Sequence, residues 1–186
     1  MMSREAVNEA LMRKALTLAE KALMAGEFPV GCVIARGERV VAEGFRRNSR
    51  PGSLNELDHA EMGALGRLAE TGPHENPGDL SIFTTLEPCL MCFGAIALSG
   101  IGRIVYAYED VMGGGSGLPA EALAPLYQNS GPVVEGGVLR LESAALFKKY
   151  FSDPAHSYWK DSLLARHALG LGPDEKKAGS GRMDFF

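Results

Sequence analysis

The sequence predicts an α/β fold, a sheet with helices on both faces. Three observations carry this. Segments with apolar residues at helical spacing alternate along the chain with short, strand-like apolar runs. Glycine and proline punctuate the joins between them. At 186 residues, with 46% hydrophobic and 23% charged residues, the chain is sized for one domain with a substantial core.

Val7, Leu11, Ala15, Leu18 and Ala22 recur at helical spacing behind Ser3, a candidate cap, and Gly26 ends that helix. Val30 to Ala35 and Arg39 to Phe45 read as two strands joined by a hairpin turn at Arg36-Gly37-Glu38. A polar loop follows from Arg46 to about Leu57, and its arginines, Arg46, Arg47 and Arg50, read as solvated. His59 to Glu70 is a second helix, closed by Gly72 and Pro73. Leu80 to Thr85 is a buried strand, Cys89 to Ser99 a third helix, and Ile101 to Tyr108 another strand. Gly113 to Gly117 is a flexible loop without the Lys-Ser/Thr ending of a phosphate-binding loop. Pro119 to Tyr127 is expected to be helical, Val133 to Leu139 a strand, and Glu142 to Phe151 a helix. Asp174 to Met183 is polar and Gly/Lys-rich, the composition of a disordered tail.

Composition excludes several classes. The 19 Lys and Arg against 23 Asp and Glu give a net charge of −4, which disfavours a long nucleic-acid footprint. Three cysteines make no disulfide framework and fit a reducing compartment. Met1-Met2-Ser3-Arg4-Glu5 leads into an amphipathic segment, and no run approaches the roughly 18 apolar residues of a membrane span. A cytoplasmic protein without a membrane partner is expected.

The chemistry is concentrated in His59-Ala60-Glu61 and Pro88-Cys89-Leu90-Met91-Cys92. One imidazole and two thiolates are ligands that suit Zn2+ and leave a fourth position open. Cys89 and Cys92, three apart at a helix start, share one side of the first turn, where the helix dipole favours thiolates. His59 begins its own helix, so convergence of two helix N-termini would close three ligands on one ion. Glu61 is then the carboxylate that hydrolysis requires, since zinc lowers the pKa of bound water from about 16 to about 7. His59 and Glu61 do not share a helix face and can meet one site only by overhanging the first turn. The same residues also admit a closed zinc site with a fourth ligand, or a histidine beside a redox cysteine pair. Cys32, inside an apolar strand, reads as core. His74, His156 and His167 read as surface residues.

The complete pattern His-x-Glu…Pro-Cys-x-x-Cys matches the signature of zinc-dependent nucleobase deaminases. From Arg4 to Ser152 the chain resembles the cytidine and deoxycytidylate deaminase superfamily. Within it, the chain is similar to the branch of tRNA adenosine deaminases, guanine deaminases and fungal-type cytosine deaminases. Glu27-Phe28-Pro29-Val30-Gly31-Cys32-Val33-Ile34 looks like that branch's first strand. Thr85 to Ile96 looks like its second motif, and Ile101 to Tyr106 continues the match. The resemblance implies a three-layer α/β/α domain with a five-stranded mixed sheet, assembled as a homodimer. It also implies zinc on His59, Cys89 and Cys92, and Glu61 as the catalytic proton shuttle. Candidate substrate-binding residues are Phe28, Asn48, Ala60, Glu87 and Pro88. Two departures stand out. Asn55-Glu56-Leu57-Asp58 replaces the branch's Asp-Pro-Thr-x before the histidine. Asn48 falls later than the branch's substrate-binding Asn, with Arg46 as the alternative occupant of that place.

The deaminase domain is therefore expected over 1–152, with a C-terminal extension over 153–186. Tyr158, Trp159, Leu163, Leu164 and Leu169 make His156 to Leu169 too apolar for a solvated appendage, so a packed helix is expected there. It packs either on its own domain or over a pocket, with Tyr158 or Trp159 against a substrate ring. The functional expectation is a hydrolytic deaminase of a small nucleobase, nucleoside or related amino-heterocycle. The alternatives are a tRNA-specific adenosine deaminase, with tRNA as partner, and a non-catalytic zinc-binding scaffold.

Overall fold

The computed structural model describes residues 3–129 and 131–171. The tail expected to be disordered over 174–183 lies outside them. Helix α1 (Arg4–Met24) is capped by Ser3 Oγ, which accepts from Ala6 N, and its end is turned by Gly26 at φ 76°. Strands β1 (Gly31–Arg36) and β2 (Arg39–Phe45) form the expected hairpin. There follow α2 (Ala60–Glu70), β3 (Leu80–Leu86), α3 (Leu90–Leu98), β4 (Arg103–Tyr108) and β5 (Val133–Gly136). Two helices end the described residues, α5 (Arg140–Ser152) and α6 (Leu163–Ala168), preceded by a one-turn helix α4 (Pro125–Gln128).

The five strands form one mixed sheet in the order β2-β1-β3-β4-β5. β1 is antiparallel to both its neighbours, while β3, β4 and β5 run parallel. Period-two alternation sorts the side chains between two cores. Val33, Ala35, Phe83, Val105 and Ala107 meet α1 on one face. Cys32, Ile34, Ile82 and Ile104 meet α2 and α3 on the other. This is the expected α/β/α arrangement. Close packing depends on two glycines. A Cβ at Gly31 would lie 2.1 Å from Ala15 O of α1, and one at Gly44 would lie 2.2 Å from Ala60 O of α2. Both helices can press against the sheet only because those positions lack a side chain.

Several local expectations fail for identifiable reasons. The helix expected over 119–127 is only a 3-10 turn at Ala120–Ala122 followed by α4. Pro125 forces Ala124 into an extended conformation and restarts the helix. β5 stops at Gly136 because Gly137 (φ 91°) and Leu139 (φ 54°) turn the chain away. The helix expected over 156–169 is confined to α6, since Trp159 at φ 56° breaks the preceding turns and Ser162 caps a fresh start. The Gly113–Gly117 loop, expected to be flexible, is pinned: Gly114 bridges Cys89, and Gly115 N donates to Pro88 O at 2.8 Å. Arg46, expected in a solvated loop, is 2% exposed. Among the described residues no helix is long and apolar enough to cross a membrane.

Candidate active site

Parallel strand β3 delivers α3, and the β2–α2 loop delivers α2, so that both helix N-termini open at the same end of the sheet. His59 is the N-cap of α2 and Cys89 the N-cap of α3. Both sit one residue before the helices that the sequence starts with them. His59 Nδ1 lies 3.6 Å from Cys89 Sγ and 3.4 Å from Cys92 Sγ. The three donor atoms fall within 4.8 Å of one another and could hold a metal ion. Tetrahedral zinc with bonds of about 2.0 Å to nitrogen and 2.3 Å to sulfur places those ligands about 3.5 Å apart, so the donor set and its spacing fit zinc.

Glu61, in the first turn of α2, reaches the same cluster. It is buried; its Oε1 accepts from Thr84 Oγ1 at 2.7 Å, and its Oε2 lies 3.6 Å from Cys92 Sγ. Burial raises its pKa above the usual carboxylate range, with His59 and Thr84 acting in the opposite direction. The hydrogen bond from Cys92 draws the Cys89 thiol down to about 4 despite burial, with His59 adding to the effect. Cys92 is pushed far upward by that same bond to Cys89, by burial and by Glu61. His59 is raised: burial opposes protonation, but Cys89 and Glu61 outweigh it.

A cavity of about 240 Å3 opens onto this cluster, with His59, Glu61 and Cys89 in its wall. Of the residues expected to meet substrate, Phe28, Ala60, Glu87, Tyr158 and Trp159 also line it. Asn48 and Pro88 do not. Asn48, at φ 54°, turns its amide to the Asp58 carboxylate, and Arg46 takes the place in the cavity wall. Pro88 contributes its carbonyl to the Gly115 amide. Glu87, although in the wall, accepts from Ser116 Oγ at 2.5 Å and Asp110 N at 3.2 Å. Phe28 is the hinge between core and cavity. Its ring meets Phe147, Tyr150 and Tyr158 edge-on at 5.3 Å between centroids. Its backbone N–H donates to Ser49 Oγ, which in turn bonds the buried Glu27 carboxylate.

The C-terminal segment, expected either to pack on its own domain or to cover a pocket, packs on the domain and also lines the cavity. Leu164 and Ala165 are buried against the domain, while Tyr158, Trp159 and Leu164 line the cavity. Sequence reasoning missed Thr84, Glu56 and Asp110. Thr84 carried a usable signal, a hydroxyl on the core-facing side of a strand where an apolar residue would otherwise stand. Glu56 and Asp110 sit in loops, where no periodicity marks direction. Cys32 is fully buried, as expected. His156 stacks on Tyr150 at 4.1 Å, and His167 stacks on Tyr108 and pairs with Glu109 at 2.8 Å.

Comparison with known proteins agrees with this geometry. Residues 5–108 match the model of the cytidine and deoxycytidylate deaminase zinc-binding region. A tRNA-specific adenosine deaminase of Streptococcus pyogenes serotype M18 is 34% identical over 143 residues, covering 75% of this chain and 87% of the relative. A structure described in work on A-to-I editing by tRNA:A34 deaminases superposes with a TM-score of 0.63 at 29% identity, over 73% of this chain and 97% of that one. A structure described in work on guanine deaminase from Nitrosomonas europaea superposes with a TM-score of 0.61 at 25% identity, over 81% and 85%. The chain belongs to the cytidine and deoxycytidylate deaminase family, and it is a hydrolytic deaminase.

Proposed function

We propose that this deaminase acts on a free base or nucleoside, using zinc held by His59, Cys89 and Cys92 and a proton shuttle at Glu61. The observation that carries the free-base reading is the wall supplied by the C-terminal segment. Tyr158, Trp159 and Leu164 line the same cavity as His59 and Glu61. At about 240 Å3 the cavity is smaller than the roughly 300–1,000 Å3 of drug-sized pockets, and it suits a single heterocycle better than an extruded nucleotide with its neighbours.

Zinc, when bound, supplies a water acidic enough to attack at neutral pH. Glu61 takes one proton from the attacking water and gives it to the ring nitrogen beside the reacting carbon; it then takes the second from the hydroxyl so added and gives it to the amine, which leaves as ammonia when the C–N bond breaks. Thr84 fixes Oε1 of Glu61, which leaves Oε2 toward the Cys92 side of the cluster. Phe28, Tyr158 and Trp159 surround the ring with aromatic surface and exclude water. Ala60 and Glu87 complete the wall. The reading includes a cytoplasmic location and a homodimer, the latter favoured by exposed Leu57 beside α2 and exposed Leu90 and Leu98 on α3.

A second reading, a tRNA-specific adenosine deaminase, is favoured by the 34% identity to the Streptococcus pyogenes relative. A non-catalytic scaffold would leave Glu61, buried against the ligand cluster, without a purpose. Ammonia release from a panel of bases, nucleosides and a tRNA anticodon stem-loop separates the three. Release from free bases or nucleosides is expected. Release from the stem-loop alone overturns the free-base reading, and no release from any member favours the scaffold.

A further inference from the structure

One part of the cavity wall is built from three groups drawn from distant stretches of chain. Arg46 and Glu56 come from the β2–α2 loop, and Tyr158 comes from the C-terminal segment. Arg46 is almost completely buried, so its charge needs partners. Its Nη1 donates to Asn55 O at 2.8 Å, and its Nη2 reaches Glu56 Oε2 at 3.3 Å and Tyr158 Oη at 3.4 Å. The guanidinium also lies 5.4 Å from the centre of the Tyr158 ring. Tyr158 Oη donates to Glu56 Oε2 at 2.7 Å.

Two donors therefore converge on one carboxylate oxygen. Glu56 Oε2 is occupied by Arg46 and Tyr158, whereas Oε1 accepts nothing from the described residues, and the side chain is 42% exposed in the cavity wall. An ionised carboxylate only accepts hydrogen bonds. One whose second oxygen is already held by a guanidinium and a phenol is an oriented acceptor with little rotameric freedom to lose on binding. The guanidinium spends three of its five N–H groups on Asn55 O, Glu56 Oε2 and Tyr158 Oη. Glu56 Oε1 is the charged acceptor that this wall presents.

We propose that Glu56 Oε1 selects the substrate by accepting from a second N–H donor group on the heterocycle, distinct from the amine that is lost. The preferred substrate class is a free amino-heterocycle with a second exocyclic amine on its edge. This rests on the free-base reading above. A base that presents a lone pair there sets acceptor against acceptor and leaves a charged oxygen without the partner it had in water. Arg46 and the Tyr158 hydroxyl are positioning groups that act through the carboxylate they hold, while the Tyr158 ring faces the cavity.

The test compares two bases that differ by one exocyclic amine, 2,6-diaminopurine and adenine. The wild-type chain should show kcat/KM for 2,6-diaminopurine at least about 10-fold above that for adenine, on the order expected for one charge-assisted hydrogen bond. If neither base is turned over, the ratio of their inhibition constants against whichever substrate is active is read in the same way. Equal or reversed values in the wild type overturn the proposal without any variant. Glu56→Gln should lower kcat/KM on 2,6-diaminopurine by about 10- to 100-fold and lower it on adenine by a clearly smaller factor, so that the ratio between the two bases falls. Tyr158→Phe should shift the same ratio in the same direction by a smaller factor. An equal fall on both bases in Glu56→Gln would show that Glu56 only holds the wall together, and would also overturn the proposal. Absence of ammonia from every base and nucleoside tested would instead strike the free-base reading on which it rests.

Discussion

At the scale of single residues, the clustering of His59, Cys89 and Cys92 was legible because their chemistry is carried by type and spacing. An imidazole and two thiols at those separations have few other uses, and helix N-caps hold two of the three. A Cys89→Ala, Cys92→Ala double variant is expected to lose the metal and, with it, part of the folding stability. Metal analysis of the purified variant checks this, and full zinc occupancy would place the ligands elsewhere. Arg46 shows the opposite case. Three arginines close together in a polar loop look solvated, yet Arg46 is buried because Asn55 O, Glu56 and Tyr158 replace its water. One of those partners lies more than a hundred positions away, beyond the reach of any local pattern.

Glu109 gives a residue-scale prediction of pH dependence. Its pKa is lowered to about 2, chiefly by the hydrogen bond from Arg140, with His167 contributing. A depressed folded-state pKa means that the unfolded chain binds the proton first. The contribution is therefore complete above the usual carboxylate value of 4.5 and is lost as pH falls toward about 2. With both partners partly exposed, solvent screening limits it to about 1 kcal/mol. Denaturant unfolding should show Glu109→Gln less stable than wild type at pH 7 and equal to it near pH 2. A difference that persists unchanged at pH 2 would assign the loss to packing.

At the scale of elements, helices and strands that alternate cleanly were predicted well, because burial on one face writes its period into the sequence. Segments that broke their own pattern were not. Pro125 cut one expected helix, and the left-handed Trp159 shortened another. Gly44 makes the element-scale dependence testable. A methyl group there would lie 2.2 Å from Ala60 O and 2.7 Å from Ala64 N, so Gly44→Ala must push α2, and with it His59 and Glu61, off the sheet. The expected cost is about 1–3 kcal/mol, together with a fall in kcat. Thermal melts and kinetics on one preparation check both, and unchanged values would mean that α2 has slack to spare. Ending the chain after Ser152 removes Tyr158, Trp159 and Leu164 from the cavity wall. KM for the small substrate should then rise at least about 10-fold, and unchanged kinetics would show that the segment is packing alone.

For the molecule as a whole, a mixed sheet brings two helix N-termini to one end, and a returning C-terminal segment narrows the space above them. The chemistry was readable from the sequence, whereas the identity of the substrate was not. The reacting residues are fixed by motif, while the walls that choose a base arrive from loops and from the chain's last described turns. The central claim is that three residues hold zinc and a fourth, Glu61, moves the protons. One measurement addresses it most directly, namely zinc content and ammonia release determined together on wild type and Glu61→Ala. The account predicts one zinc per chain in both proteins, with turnover in the variant lower by about 100-fold or more. Near wild-type ammonia release from zinc-loaded Glu61→Ala would contradict it.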